Sequence, residues 1–532
     1  MDVAKVLTRK AQLSLSVVLG LLSAEPCLAG VWIIRLKKDK TSTSPQVQSL
    51  QTRMRNFKQS RLSRKKGLLL PRTELLITED LSPGEVAILR ADDSVAYVEE
   101  DIRWHTQESV GESSSWPSSF SQAPWLKDLM GFSSDNPDPE ISPNLSQTRS
   151  VVAVIDTGSR SDHPFISAAL EPNTSELSGS SSRDDDGNGF VDDFYGANAI
   201  TRQGSGTESN SSHGTHVAGI IKTIRDHAIG DFPEAAQVSI LPIRFIGDDG
   251  SGSTASAVIA LEYALARGAR VVNASWGAKG NGAYSQALYD AFAKLYADDV
   301  FFAVAAGNAD GLGQNNNDLT PYFPANYNIP SLVSVASVTP SYSSALNRLV
   351  SLDLSPFSNY GKNTVQIAAP GDYADGRGGN PGILSAYSGF GPWGNLYIKK
   401  QGTSMASPVI AGIAAVMRAV NPSLTAFETK DLLIKSARTY SQLSSLQSSA
   451  MVDAHAAISL AEITASQGLR PRLPAAPVRQ NLATSPPERG AGCGTVSPVK
   501  PEGPFGGNSL GLVTAGYAVW ALLQKRRKKS RV

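Results

Sequence analysis

Residues 150–158 read Ser150-Val151-Val152-Ala153-Val154-Ile155-Asp156-Thr157-Gly158, and the placement this stretch demands decides the fold. An unbroken apolar row leaves no polar side for water, so a strand built from it must be covered on both faces. Similar runs recur at Val271-Val272 and at residues 300–306, 332–338 and 365–369. Between two of them, Ser253 can cap a helix that carries Val258, Leu261 and Leu265 on one face and stops at Gly268. Buried strands alternating with helices predict an α/β fold with a doubly wound, mostly parallel sheet. In such a sheet the carboxyl ends of the strands line the active crevice. Asp156 stands at one of those ends.

The flanking sequence has a different character. Lys5, Arg9 and Lys10, a largely apolar segment over residues 11–24 and the small-residue site Cys27-Leu28-Ala29 predict a signal peptide over 1–29. Pro26 disfavours a lipoprotein reading of Cys27. Two strand-like stretches, residues 31–36 and 96–101, predict a small α+β domain over 30–107, and a Ser-rich linker follows over 108–124. The main domain spans 125–465. Pro- and Ala-rich sequence at 466–505 reads as a second linker. Residues 506–532 combine an apolar stretch with Lys525, Arg526, Arg527, Lys528, Lys529 and Arg531, the pattern of a membrane-retention or sorting segment or, more plainly, of an amphipathic tail.

The chain has 532 residues, 41% of them apolar and 18% charged, which is enough to bury a large core. Its formal net charge of +1 gives no reason to expect a nucleic-acid partner. Cys27 and Cys493 both lie outside the main domain, which must therefore hold together without a disulfide.

Three motifs carry chemistry. Asp156-Thr157-Gly158 offers a carboxylate that can hold an imidazole in one tautomer. The same tripeptide marks aspartic proteases and ordinary turns, but an aspartic protease needs two such carboxylates and the chain shows one. His213 opens His213-Gly214-Thr215-His216-Val217-Ala218-Gly219-Ile220 and suits a general base. A metal pair with His216 is the rival, although further ligands and the glutamate of a zinc protease are not visible. Gly402-Thr403-Ser404-Met405-Ala406-Ser407-Pro408 puts Ser404 where a loop enters a helix, aiming backbone N–H groups at charge developing on a carbonyl oxygen. A plain Ser/Thr N-cap is the commoner use of such a residue.

Taken together, the three motifs closely resemble the signature of the subtilisin-like (subtilase) family, in the same chain order Asp, His, Ser. The resemblance covers residues 125–461 and includes the closing Met451-Val452-Asp453-Ala454. It implies a serine endopeptidase with Asp156, His213 and Ser404 as its triad and no organic cofactor. It further implies that Asn308, in Ala305-Ala306-Gly307-Asn308, donates its amide to the oxyanion beside the Ser404 N–H, with Gly307 next to the substrate. Gly250-Ser251-Gly252-Ser253 and Ser275-Trp276-Gly277 look like the two segments that pair with substrate main chain. Trp276 departs from the family's aliphatic residue, which would alter the rim of the pocket for the residue before the scissile bond. Val98-Glu99-Glu100-Asp101 is similar to part of the family's inhibitory propeptide, implying autocatalytic cleavage between Trp104 and Trp125. The expected partners are protein or peptide substrates and the chain's own propeptide. The expected product is a monomer that is secreted or held at the cell surface.

Residues 184–193 place Asp184, Asp186 and Asn188 at alternating positions, with Gly189 sixth and Phe190 offering a carbonyl, like the first half of a calcium loop. Tyr195 replaces the closing glutamate, leaving Asp192 or Asp193 to complete a structural Ca2+ shell. An acidic Asx-turn loop is the alternative. The functional rivals are a silent protease fold used for binding, a peptide ligase or maturation protease, and a surface adhesin suggested by the tail.

Overall fold

A computed structural model describes residues 30–37, 55–59, 62, 67–106, 130–132, 143, 147–204, 206–207, 211–309, 313–343, 348–373, 382–389 and 396–467. The signal-peptide, first-linker and tail assignments, with both cysteines, lie outside these residues.

The Ser150–Asp156 strand is buried along its whole length, as its composition requires. Alternate side chains enter two different cores. Val152 and Val154 pack with Val217 and Ile221 of the His213–Ile229 helix and Ile410 of the Thr403–Val420 helix. Val151, Ala153 and Ile155 pack with Val258 and Leu261 of the Thr254–Ala266 helix and Leu288 and Phe292 of the Gln286–Ala297 helix. Helices on both faces of a parallel sheet are what a strand apolar on both sides needs. The Thr403–Val420 helix is long and apolar enough to cross a membrane, but 89% of its apolar window is buried inside the fold, as in a core helix.

The chain enters the sheet at Ser150–Asp156, whose parallel neighbours are Val238–Arg244 on one side and Val271–Ala274 on the other. Ala197–Asn198 lies beyond the first; Phe301–Ala305, Leu332–Ser343 and Ile367–Pro370 continue beyond the second. Strand order therefore reverses about Ser150–Asp156. A doubly wound sheet opens its crevice at such a switch point, at the carboxyl end that Asp156 occupies. Arg348–Leu354 returns antiparallel along Leu332–Ser343, a local exception to the parallel pattern.

The small N-terminal domain is an antiparallel sheet in the order Gly67–Leu70, Leu75–Glu79, Val31–Leu36, Val95–Glu100. Ser82 and Glu85 form a capping box for its Pro83–Ala91 helix. One face, with Ile34, Leu36, Leu76 and Val98, closes on Val86 and Leu89 of that helix. The other, with Ile33, Leu75 and Ile77, joins the core containing the Thr254–Ala266 and Gln286–Ala297 helices. Two of the four strands and the helix went unread in the sequence.

Candidate active site

Asp156 is fully buried, and its Oδ1 accepts from Thr157 N at 2.7 Å, Thr157 Oγ1 at 3.2 Å and His213 Nδ1 at 2.7 Å. A carboxylate only accepts, so Nδ1 carries the hydrogen and Nε2 is the basic nitrogen of the neutral ring. Glycine is what lets the two motifs meet. A Cβ on Gly214 would stand 1.9 Å from the Gly158 carbonyl oxygen, so only glycine allows the helix start to pack on the Asp156 turn. The Gly214 N–H then donates to Thr157 Oγ1 at 2.9 Å.

His216 has a separate task. Its Nε2 reaches the carbonyl oxygens of Ile383 and Ile398 at 3.0 and 3.1 Å, tying the His213 helix to the Ile383–Ala386/Tyr397–Lys400 hairpin. Burial, helped by the Lys400 charge, pushes its pKa well below the usual histidine value, so the ring is neutral. Two histidines with separate partners do not make a metal pair.

Ser404 is buried at the start of the Thr403–Val420 helix, and its Oγ donates to the Ser275 carbonyl at 3.0 Å. Pro408 has no N–H for the Ser404 carbonyl four residues earlier. Ser275 Oγ fills that gap, donating to Ser404 O at 2.9 Å. Behind it, Asn273 Nδ2 donates to Ser275 Oγ at 2.9 Å, and Ser407 Oγ donates to Asn273 Oδ1 at 2.6 Å. This buried ring of polar groups fixes the helix start against the sheet.

Thr403 N and Oγ1 both donate to Asn308 Oδ1 at 2.9 Å. A backbone N–H only donates, so this bond identifies Oδ1 and directs the Asn308 NH2 group away from Thr403. Gly307 precedes it at φ +103°, where a Cβ would also strike Asn359 Nδ2 at 2.5 Å.

The two segments read as substrate-pairing are joined by a third. Arg103–Thr106, at the end of the small domain, is an antiparallel strand between them: His105 opposes Gly277 and Thr106 opposes Trp276, while Trp104 opposes Gly252 and His105 opposes Ser251. Gly250 O also accepts from Thr106 N at 3.4 Å. Trp104 is fully buried, donates its indole N–H to Thr254 Oγ1 at 2.9 Å and meets Trp276 edge to face at 5.6 Å. Trp276 thus packs between Trp104 and Phe245, the latter 4.7 Å away. Its indole donates to Ile155 O at 2.9 Å, anchoring this segment to the Asp156 strand.

Carboxylates hold the small domain in place. Glu99 Oε2 accepts from Gln286 N and Ala287 N at 2.9 and 3.1 Å, and Asp101 Oδ1 from Ala255 N at 2.9 Å. Both therefore satisfy N–H groups at helix starts, where the helix dipole favours negative charge. In return, Glu262 accepts from Arg72 N and Thr73 N, each at 2.7 Å. Burial raises the pKa of all three acids above the usual range.

The acidic loop divides its groups. Glu176, Asp184 and Asp186 each offer an oxygen within 4.8 Å of the others, and they form the one such acidic, His or Cys cluster among the described residues. Glu176 was missed because it stands eight residues before the loop, on the Thr174–Leu177 turn of helix. Asn188 Oδ1 accepts from Phe190 N at 2.8 Å. Asp192 takes the Ser182 N–H at 2.9 Å. Asp193 takes the Tyr263 hydroxyl at 2.5 Å and lies 3.3 Å from Arg267 Nη1, so its charge is already balanced by a cation.

Residues 147–457 match the family model of the subtilase family (peptidase S8). Subtilisin-like protease 1 of Plasmodium vivax is 30% identical over 285 residues, covering 53% of this chain and 42% of that protein. Subtilisin DY of Bacillus licheniformis is 31% identical over 242 residues, covering 46% of this chain and 76% of that protein. The chain thus spans less than half the length of the Plasmodium protein. The crystal structure of fervidolysin from Fervidobacterium pennivorans, described as a keratinolytic enzyme related to subtilisin, superposes with a TM-score of 0.53 at 21% identity. That match covers 81% of this chain and 61% of fervidolysin, and it shows the shared fold. By its family match and its likeness to subtilisin DY, the chain belongs to the subtilase family.

Proposed function

We propose that this chain is a serine endopeptidase made as a self-inhibited precursor, with Asp156, His213 and Ser404 as its triad. The observation that carries the reading is the Arg103–Thr106 strand, held antiparallel between the two segments that would grip a substrate. A peptide bound this way is recognised through its main chain, with Trp104 as its buried anchor. Ser404 Oγ attacks the scissile carbonyl while His213 Nε2 takes its proton, and Asp156 stabilises the imidazolium. The leaving amine takes that proton, and water then releases the acyl group from Ser404 by the same route. Asn308 and the Ser404 N–H hold the oxyanion; in subtilisin, losing the equivalent asparagine costs about a hundred- to a thousandfold in turnover. No organic cofactor enters.

Residues 1–29 direct the chain to secretion, and 506–532 are proposed to retain it at the membrane, where it acts as a monomer on protein substrates. The 30–107 segment is the inhibitor. Added in trans, it should inhibit the mature enzyme, and Trp104→Ala should raise its Ki about thirtyfold or more, as expected for a buried anchor. Trp104 lies outside the small domain's own core, so the variant segment should still fold. An unchanged Ki would remove Trp104 from the contact.

The acidic loop is proposed to hold a structural Ca2+ through Glu176, Asp184 and Asp186, an all-oxygen set that suits a hard cation. Asn188, Phe190 and Asp192 remain candidates for completing the shell, while the cation beside Asp193 argues against it as a ligand. Chelator should lower the thermal midpoint of the wild type and leave Asp184→Asn/Asp186→Asn nearly unaffected. An unchanged wild-type midpoint in chelator would end the calcium reading.

A further inference from the structure

Tyr322 and Phe323 form a two-residue strand beside Trp276–Lys279, with Lys279 opposite Tyr322 and Ala278 opposite Phe323. The Tyr322 ring sits between two segments of the site. A Cβ on Gly277 would lie 2.3 Å from Tyr322 Cε1, and a Cβ on Gly307 would lie 2.9 Å from Cε2. Those two ring carbons flank the carbon that bears the hydroxyl, so the phenol ends between the segments. Gly277 stands two residues past Ser275, whose carbonyl takes the Ser404 hydroxyl. Gly307 directly precedes Asn308. The space the phenol enters is thus bordered by the strand beside the nucleophile and by the oxyanion segment.

Tyr322 is only 4% exposed, and its hydroxyl is buried with no hydrogen-bond partner among the described residues. Burial alone lifts its pKa far above the ordinary tyrosine value, so the group is a neutral phenol able to donate and to accept. Buried polar groups are nearly always satisfied, and an exception calls for a reason. A missing substrate side chain supplies one.

We propose that Tyr322 sets the specificity of the pocket for the side chain just before the scissile bond, admitting short side chains that carry a hydrogen-bonding group. The inference rests on the endopeptidase reading and adds two separable effects. The ring fills the pocket's depth, which excludes large apolar side chains. The hydroxyl is left unpaired by an apolar side chain, which favours threonine over valine and asparagine over leucine.

The test uses mature enzyme processed from the full precursor, as wild type, Tyr322→Phe and Tyr322→Gly. The peptides are identical except for Thr, Val, Asn, Leu or Phe before the scissile bond. Wild type should show kcat/KM about tenfold higher for Thr than Val and for Asn than Leu, with Phe poorest. Tyr322→Phe should bring both ratios near one while still rejecting Phe, a split that mere packing of a core ring would not produce. Tyr322→Gly should raise kcat/KM for Phe by roughly ten- to two-hundredfold. Fluorophosphonate labelling of Ser404 in each variant separates a collapsed site from altered preference, and Tyr322→Phe carries the test if the glycine variant does not fold. Wild type that takes Phe as well as Thr, or a Thr/Val ratio unchanged in Tyr322→Phe, overturns the proposal. Wild type that neither labels nor cleaves any peptide overturns the endopeptidase reading, and this inference with it.

Discussion

A precursor carrying Ser404→Ala should accumulate uncleaved, and its hydrolysis of casein should fall by about a millionfold against the processed wild type. The substitution removes the one atom proposed to form the acyl bond and leaves Asp156, His213 and Asn308 in place. Its cost to folding is small by comparison. The lost Ser404–Ser275 hydrogen bond is worth about 1 kcal/mol net, and the Ser275 Oγ bond to the Ser404 carbonyl survives. Adding His213→Ala should cause little further loss, because a base without its nucleophile has nothing to activate. Gel analysis of precursor processing beside casein turnover checks both points. Self-cleavage by the Ser404→Ala protein would take Ser404 out of the mechanism.

Asp156→Ala should lower turnover by about four orders of magnitude, less than loss of Ser404, since nucleophile and base both remain. The geometry makes a sharper forecast for Asp156→Asn. In the wild type, Oδ1 alone accepts both the Thr157 N–H and His213 Nδ1. The Thr157 N–H must meet an acceptor, so the asparagine oxygen should take the Oδ1 position and the NH2 group the other. His213 would then keep its tautomer, and only the negative charge facing the imidazolium would be lost. Asp156→Asn should accordingly be milder than Asp156→Ala when kcat/KM is measured on one peptide. Equal losses would mean that the amide flips and reverses the tautomer.

What was legible in the sequence is what local pattern encodes. An apolar row at 151–155 has one sensible burial, and the structure places its alternate residues in two cores. Ser253 with Ser256 makes a cap that does not depend on distant partners, and the Thr254–Ala266 helix starts there. The small domain was harder. Gly67–Leu70 and Leu75–Glu79 are short, and their pairing with Val31–Leu36 depends on contacts far apart in the chain. The site divides in the same way. His213 and Asp156 announce themselves by motif, but Tyr322, Glu176 and Trp104 carry none. Gly277 and Gly307 do signal a close approach, without revealing that both accommodate the same tyrosine ring. His216 lies in a legible motif too, but its partners were not readable there: its buried ring holds the carbonyls of Ile383 and Ile398, far along the chain.

The central claim, that Ser404 is an activated nucleophile, is tested most directly by mass spectrometry of fluorophosphonate-treated protein expressed from the full precursor. The account predicts a single adduct on Ser404, formed after the 30–107 segment is lost and suppressed when that segment is added back. Folded, processed protein with Ser404 unmodified, or with the adduct on another residue, would contradict it.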